Sequence, residues 1–518
     1  MKKTFYSAAL LGAALLIGTG SCTNLEDKVL GAVSTDKIAT GGVGTVDPAA
    51  SLVGVYSSLN GFTDQGNTYA MQEHTSDEQQ GPTRGTDWGD FGVWRKLHQH
   101  TWDAAHGQVT SNWDFLNSGV FKATQTISFA GSNNQIKAEA SFLRAFFTYN
   151  LVDLYGQVPS REVTDDAEAN PKVLSRAQAT ENIITDLNFA IANLGTTARP
   201  GIASKQAAQF LLAKVLLNKA VYTADPTKPA GPFTFTPADM TQVVTLVNAI
   251  TASAKYALEP KGEYFDNFHW ENLTRSKELI FTVDNPDGNQ SRSVRNRYYM
   301  TSHYNQGVSG WNGFTTLADF YNSFEKTDER LGGPLPGLTD KLGMNAGFLV
   351  GQQLDAAGKP LKDRSGNPLI FTPDVDLLFA TEAKGIRVIK YLPQPGSIDN
   401  PTTSYVFFRY ADALLMKAEA LLRGGTDATG QTAAAIVNDL RAKRGVAALP
   451  TVTEANLLAE RGRELYWEGH RRTDQVRFGT FLNPMDNKAS KSPDFRVLFP
   501  IPQRAIDTNP NLKQNFGY

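Results

Sequence analysis

Apolar residues recur at helical spacing along several long segments of the chain. Residues 135–155 predict a strongly amphipathic helix that ends at Gly156 and Pro159. The same pattern predicts further helices at residues 48–60, 180–194, 204–222, 237–256, 407–423, 432–443 and 454–468. Alanines such as Ala207 and Ala208 on the apolar faces allow close helix approach, as in tetratricopeptide-like helical hairpins. The chain is therefore predicted to be mainly α, with helical hairpins as its scaffold.

Two stretches lack this periodicity and are predicted to be large loop insertions with a few short strands. Residues 62–120 contain four of the seven tryptophans and four of the seven histidines, with little helical pattern before Trp113. Residues 260–400 contain a short predicted strand at 278–283 and two turn signals, between residues 354 and 369, that favour a small β-hairpin. Because loops on a rigid scaffold frequently carry binding residues, both insertions are candidates for the functional site.

The overall composition is that of an ordinary globular protein, with 41% hydrophobic and 20% charged residues. A formal net charge of -2 provides no broad basic surface for nucleic acid. Beyond the N-terminal region, no stretch reaches about 18 uninterrupted apolar residues, so the mature chain is not predicted to be transmembrane.

The N-terminus has the organisation of a bacterial lipoprotein signal peptide. Lys2 and Lys3 precede an apolar run at residues 8–17, and small residues at 18–21 lead to Cys22, the single cysteine of the chain. This order predicts cleavage after residue 21 and lipidation of Cys22, which would anchor the protein to a membrane. The alternative is an ordinary signal peptide that is cut elsewhere and leaves a free thiol.

The residues after Cys22 predict a tether and then the folded part of the protein. Residues 22–47 are small and polar, as in a flexible linker. Glu26 and Asp27 follow closely on the cysteine and resemble the signal that directs some lipoproteins to the outer face of the outer membrane. Residues 48–518 are then predicted to form one domain.

Four segments occur in an order and spacing that resemble the SusD/RagB family of bacterial outer-membrane lipoproteins. They contain the sequences AEASFLRAFF with LVDLYGQVP (138–159), RYADALLMKAEA (409–420), RELYWEGHRRTD (463–474), and PIP with NPNLKQNFGY (500–518). The resemblance implies a single, mostly helical domain with a tetratricopeptide-like scaffold. It also implies a cell-surface protein that captures oligosaccharides, without cleaving them, for a SusC-like TonB-dependent transporter. A peptide-capturing or structural lid is the main alternative.

The resemblance also points to candidate ligand contacts in both insertions. Sugar rings have apolar faces that stack on aromatic side chains and hydroxyls that bind polar ones. The residues suggested are Asp77, Arg84 and Trp88 in the first insertion, and Tyr298, Tyr299, Trp311 and Asn312 in the second. Alternatively, the tryptophans pack the loops onto the scaffold. We assign Trp94, Trp102 and Trp113 to packing and leave Trp88 and Trp311 open.

Catalytic and metal-binding functions have weaker support. A glycosidase needs two carboxylates at a defined separation, and Asp77–Glu78 or Asp87 with Asp90 qualify by residue type only. A metal site at His98, His100 and His106 is possible by ligand type, but hydrogen bonding within the loop is the favoured role. The resemblance implies no cofactor and no catalytic residue.

The charged residues near the C-terminus predict a structural network. The basic members are Arg463, Arg471, Arg472 and Arg477, and the acidic members are Glu464, Glu468 and Asp474. Because these residues share helices with apolar faces, we expect them to form salt bridges that fix helix packing. The alternative is a catalytic carboxylate pair or an anion site.

Overall fold

Helices are the main regular structure of the described chain, and strands are few and short. The computed structural model describes residues 46–166, 168–196, 199–285, 288 and 294–518. The predicted signal peptide, Cys22 and nearly all of the tether therefore lie outside the described residues. Residues Asp47–Tyr518 form one compact unit. Within the described part, no helix is both long and apolar enough to cross a bilayer.

The elements are numbered here in chain order. The helices are α1 (Pro48–Ser58), α2 (Asn67–Glu73), α3 (Val93–His98), α4 (Gly107–Phe129), α5 (Asn134–Leu154), α6 (Arg176–Asn193), α7 (Lys205–Tyr222), α8 (Pro237–Ala252), α9 (Asn272–Arg275), α10 (Asn296–Tyr299), α11 (Ala318–Asn322), α12 (Thr339–Leu342), α13 (Tyr410–Leu422), α14 (Ala433–Lys443), α15 (Glu454–Leu465), α16 (Arg471–Arg477) and α17 (Gln503–Thr508). The strands are β1 (Val158–Ser160), β2 (Lys172–Leu174), β3 (Leu279–Val283), β4 (Gly332–Gly333), β5 (Ala346–Leu349), β6 (Gly351–Gln352), β7 (Ile370–Phe371), β8 (Arg387–Ile389) and β9 (Tyr405–Arg409).

Helices α4 to α8 pack one against the next as a row of hairpins, and α8 then packs against α13. Side-chain caps set the start of several of these helices. Asn133 accepts a hydrogen bond from the Ile136 amide at the start of α5, and Ser175 with Gln178 forms a capping box at the start of α6. The mainly α, tetratricopeptide-like scaffold predicted from the apolar periodicity is confirmed.

Helix α4 was not predicted as a whole, because residues 62–120 were expected to be largely loop. Its buried stripe includes Val109, Trp113 and Leu116, which are spaced four and three residues apart as a helix requires. Polar Asn112 and small Gly119 interrupt the apolar character of this stripe. At Gly119 an added Cβ would lie 2.4 Å from the Phe147 ring, so glycine allows α4 to pack closely on α5.

The strands lie mainly in the second insertion. Strand β3 pairs antiparallel with β9, and β4, β5 and β8 form a three-stranded sheet in that order. The strand expected at 278–283 is therefore present as β3. Residues 407–409, which were predicted to begin the helix 407–423, belong instead to strand β9, which pairs with β3. Helix α13 begins only at Tyr410.

The hairpin predicted between residues 354 and 369 contains two successive turns. Asp355 and Asp363 each accept hydrogen bonds from backbone amides two and four residues ahead. The side-chain amide nitrogen of Gln352 donates to the backbone carbonyl oxygens of Gln353 and Leu361, each at 2.9 Å. These hydrogen bonds link the two turns. This anchoring places the second turn, which carries Arg364, at the site described below.

A layer of buried ion pairs crosses the C-terminal half of the fold. Glu464 on α15 contacts Arg330, Arg409 and Arg444 at 2.8–3.1 Å, and all four side chains are at most 1% exposed. The other charged residues of this region also pair, in the contacts Arg471–Asp77, Arg472–Asp153, Arg477–Asp474, Arg463–Glu460 and Arg409–Glu468. These contacts agree with the predicted salt-bridge network and link α15 and α16 to the rest of the core.

Candidate functional site

Two partly exposed aromatic side chains of the second insertion meet at the surface. Tyr299 is the last residue of α10, and Trp311 follows in the next loop. Their ring centroids lie 5.6 Å apart at an interplanar angle of 37°. The Trp311 backbone amide donates to the Tyr299 carbonyl at 2.6 Å, which fixes the two residues side by side. We call Tyr299 and Trp311 the aromatic platform.

Trp88 from the first insertion supports this platform. Its indole N–H donates to the Trp311 carbonyl at 2.8 Å. Its ring is partly buried and packs against Phe314 and Trp94, at centroid distances of 4.8 and 6.1 Å. Gly313 makes room for this contact, because a Cβ there would lie 2.5 Å from the indole. The structure therefore brings together three of the predicted site residues, from both insertions.

Arg84 lies beneath the platform and is only 4% exposed. Its guanidinium donates to the carbonyls of Gly313, Thr381 and Lys384 at 3.3, 2.5 and 2.8 Å. Because burial disfavours the charged form, the pKa of Arg84 falls to about 9. The predicted role of Arg84 as a ligand contact is thus replaced by a supporting one, in which it joins the loop after Trp311 to residues 381–384.

Tyr298 and Asn312 are also buried in the structure, at 0% exposure, and so cannot contact a ligand at the surface. The Tyr298 hydroxyl donates to the Ile398 carbonyl at 2.6 Å. Asn312 has a left-handed backbone with φ 54° and accepts a hydrogen bond from Arg387 at 2.7 Å. Both residues hold the loops that carry the platform in place, which corrects their predicted role.

Asp77 lies in a different cleft from the aromatic platform. Its carboxylate forms a two-point ion pair with Arg471 of α16, at 2.7 and 2.8 Å. The cleft has a volume of about 340 Å³ and is also lined by Leu317, Phe320 and Asp486. The structure thus separates Asp77 from the other predicted contacts, and its role as a ligand contact stays a prediction.

Polar side chains that the sequence did not single out as ligand contacts surround the platform in two similar groups. In the first, the Arg295 guanidinium lies 5.3 Å from the Tyr299 ring centroid and 2.5 Å from the Asp399 carboxylate. The Tyr299 hydroxyl donates to the same Asp399 oxygen at 3.1 Å. Arg295 and Asp399 are about 100 positions apart, so spacing along the sequence gave no signal for this pair.

The second group repeats the arrangement around Tyr304. The Arg364 guanidinium lies 4.0 Å from the Tyr304 ring centroid and 3.5 Å from the Asp87 carboxylate. The Tyr304 hydroxyl donates to Asp87 at 2.7 Å. Burial and this hydrogen bond raise the pKa of Tyr304 to about 12, so its hydroxyl stays protonated. We call these two groups the tyrosine–arginine–aspartate triads.

Glu382 joins the second triad to the loop beneath the platform. Its carboxylate accepts a hydrogen bond from Arg364 and lies 3.2 Å from the His303 Nε2 atom. Its backbone carbonyl accepts from Asn312. Burial lowers the pKa of His303 to about 4, so this histidine is neutral at pH 7. We call the two triads and Glu382 the rim of the platform. The rim thus offers fixed donors and acceptors for hydroxyl groups.

The candidate glycosidase carboxylates are engaged in structural contacts. Glu78 is 1% exposed and accepts a hydrogen bond from the Trp467 amide. Asp90 accepts from the Trp94 indole at 2.6 Å, and Asp87 belongs to the second triad. Together with Asp77, which pairs with Arg471, each of these candidate carboxylates is thus already engaged in a contact within the fold.

The three histidines of the first insertion form hydrogen bonds, as favoured from the sequence. His98, His100 and His106 contact the carbonyls of residues 486, 75 and 93 at 2.7, 2.8 and 3.1 Å. Over the described ranges, no cluster of three or more metal-ligating His, Cys, Asp or Glu side chains is present. The packing role of Trp94, Trp102 and Trp113 is confirmed, since each is at most 7% exposed.

Two sequence profiles match separate parts of the chain. The profile of the SusD family matches residues 377–518, and a profile described as "Starch-binding associating with outer membrane" matches residues 54–217. The starch-binding protein SusD of Bacteroides thetaiotaomicron is 26% identical over 422 residues, which is 74% of this chain and 72% of SusD.

The chain belongs to the SusD/RagB family.

Further comparisons extend the SusD likeness over almost the whole chain. The SusD-like protein P2 of Formosa agariphila is 23% identical and covers 97% of both chains. A solved structure described as a laminarin binding SusD-like protein superposes with a TM-score of 0.70, at 22% identity, over 91% of this chain and 99% of the other. Two of these SusD-like relatives are named for binding a glucan, in agreement with the expectation that the chain is not an enzyme.

Proposed function

We propose that this protein captures oligosaccharides at the outer surface of a bacterial outer membrane and passes them to a SusC-like TonB-dependent transporter. The observation that carries the proposal is the pair of partly exposed rings, Tyr299 and Trp311, bordered by the two tyrosine–arginine–aspartate triads. An apolar surface with polar groups along its edge fits the faces and hydroxyls of a sugar ring.

Several features support a role in binding rather than catalysis. The carboxylates of Asp87, Glu382 and Asp399, beside the platform, each accept a hydrogen bond from an arginine or a tyrosine. The buried arginines Arg84 and Arg387 hold the loops beneath the platform. Such prior ordering reduces the conformational entropy that ligand binding would otherwise cost.

The location and the transporter partner rest on other observations. The N-terminal order of basic, apolar and small residues before Cys22 fits a lipid anchor. The profile that matches residues 54–217 is described as associating with the outer membrane. The relatives named SusD or SusD-like support a SusC-like partner through family membership.

Calorimetric titration tests this proposal directly. The soluble chain from residue 23 onward is titrated with a panel of plant, microbial and host oligosaccharides, together with Trp311→Ala. We expect at least one glycan to bind without release of new reducing ends. Trp311→Ala should weaken that binding about two- to tenfold, because a ring contact of this kind contributes roughly 0.5–1.5 kcal/mol.

Phe121→Ala provides the matched control. Phe121 is a 45% exposed aromatic side chain on α4. It lines a different cleft, together with Arg144 and Asp186, and none of the platform residues contributes to that cleft. We expect this substitution to leave glycan affinity unchanged. Equal affinity of the wild-type and Trp311→Ala proteins for every glycan that binds would refute the platform. A lack of binding by every oligosaccharide of the panel would favour a peptide-capturing or structural lid.

A further inference from the structure

The charged groups around the aromatic platform form an already paired set. In each triad, one aspartate accepts a hydrogen bond from the tyrosine hydroxyl and contacts the arginine that lies over the tyrosine ring. Arg364 also binds Glu382. The next cation along the chain, Lys384, contacts Asp374 at 2.8 Å. These arginines and this lysine are therefore not free counter-ions for an anionic ligand.

At the surface of the site, Arg295 and Arg364 are paired with the carboxylates of Asp399, Asp87 and Glu382. The other two arginines, Arg84 and Arg387, are at most 4% exposed and donate to carbonyl oxygens and to Asn312 beneath the platform. The paired carboxylates are accessible, since the Asp399 and Asp87 side chains are 66% and 39% exposed. A uronate or sulfate group placed here would meet like charges and would have to displace an existing carboxylate from its arginine.

Neutral sugars meet no such cost. A hydroxyl group donates to the free lone pairs of a carboxylate and accepts from the remaining N–H groups of an arginine, without separating the two ions. The triads thus present both hydrogen-bonding partners that a sugar hydroxyl uses. Because Asp399 and Asp87 bind both the tyrosine and the arginine, they also keep the rings and guanidinium groups in fixed positions.

We propose that the two tyrosine–arginine–aspartate triads make this site selective for neutral glycans over acidic ones. The inference rests on the proposed glycan-binding function and adds the substrate class to it. Asp399 and Asp87 are then the specificity-determining residues, because each neutralises an arginine that would otherwise attract an acidic sugar.

The test compares two forms of one glycan. The neutral oligosaccharide that binds best in the panel is partly oxidised at its C6 primary hydroxyls, which gives carboxylates on the same backbone. Both forms are titrated against the wild-type protein, Asp399→Asn, Asp87→Asn and Trp311→Ala. Asparagine retains an acceptor for the tyrosine hydroxyl, so the substitutions remove charge with little change in shape. Asp114→Asn is the matched control, because Asp114 forms a surface pair with Arg504 elsewhere.

We expect the oxidised form to bind more weakly than the neutral form to the wild-type protein. Asp399→Asn and Asp87→Asn should each strengthen binding of the oxidised form by about two- to fivefold, the range for one exposed charge pair, and Asp114→Asn should not. Affinity for the neutral form should change little between 50 and 500 mM salt. Over this range the Debye length shortens from about 14 Å to about 4 Å, so a binding step that depended on charge would weaken.

Two results would overturn the inference while leaving the proposed function intact. The first is Trp311-dependent binding in which the acidic form, or a natural acidic glycan of the panel, equals or exceeds the neutral form. The second is a lack of any gain for the oxidised form in both aspartate variants. If no glycan binds in a Trp311-dependent manner, the proposed function itself fails, and this selectivity fails with it.

Discussion

Glu464 provides a strong test of how the buried ionic layer stabilises the fold. Its two carboxylate oxygens accept hydrogen bonds from Arg330, Arg409 and Arg444 at 2.8–3.1 Å, and its side chain is 0% exposed. Replacing Glu464 with glutamine leaves one acceptor oxygen and turns an NH₂ group towards guanidinium donors. Because breaking a buried ion pair costs about 3–5 kcal/mol, we expect a loss of that size in the free energy of unfolding.

The expected loss also has a defined pH dependence. Burial alone would raise the pKa of Glu464, but the three arginines hold it well below the ordinary value of 4.5. A carboxyl group whose pKa is lowered by folding contributes its full stabilisation above its unfolded pKa, and this contribution is lost as the pH falls through the folded pKa. The difference between wild type and Glu464→Gln should therefore be constant near pH 7 and shrink well below pH 4.5.

Chemical denaturation followed by tryptophan fluorescence measures both effects. Glu454→Gln is the control, since Glu454 begins the same helix, its own side chain is 53% exposed, and it contacts a single arginine, Arg423. This control should change the unfolding free energy by less than about 1 kcal/mol. A loss below about 1 kcal/mol for Glu464→Gln at pH 7 would refute the reasoning, because it would show that the other carboxylates of the layer satisfy all three arginines.

Two further predictions concern the site and the membrane anchor. Arg84→Lys should lower the unfolding free energy by about 1–3 kcal/mol, because an ammonium group cannot reach all three carbonyls that Arg84 joins. Calorimetry should also show weaker glycan binding that still depends on Trp311. Unchanged stability would contradict the supporting role of Arg84. Cys22→Ser should abolish incorporation of a labelled fatty acid and release the protein from the membrane fraction, whereas continued labelling would contradict lipidation of Cys22.

The helical scaffold and the family were accessible from the sequence. Apolar periodicity predicted α5 to α8 and α13 to α15 within a few residues, because each of these helices buries a continuous stripe that repeats every three to four positions. The motifs at 138–159, 409–420, 463–474 and 500–518 indicated the SusD/RagB family, to which the chain belongs. The aromatic residues of the platform were also among the candidates.

Only the tertiary structure decided which candidates face the solvent. Trp311 and Tyr299 remain partly exposed, whereas their neighbours Asn312 and Tyr298 are fully buried. Adjacent residues in the short helix α10 and in the following loop differ in burial without a fixed period, so a sequence pattern cannot assign them. Arg84 illustrates the same limit, because its carbonyl partners lie more than 200 positions away.

The triads depend on tertiary structure for a related reason. Asp87 and Arg364 are 277 positions apart, and they meet only because the two insertions fold onto each other. Local spacing predicts helices, since helical neighbours are three or four residues apart, but it contains no information on contacts between distant loops. The sequence by itself thus determined the scaffold, the family and the loops that carry the site. The packing of those loops decided which side chains form the platform, its rim and its support.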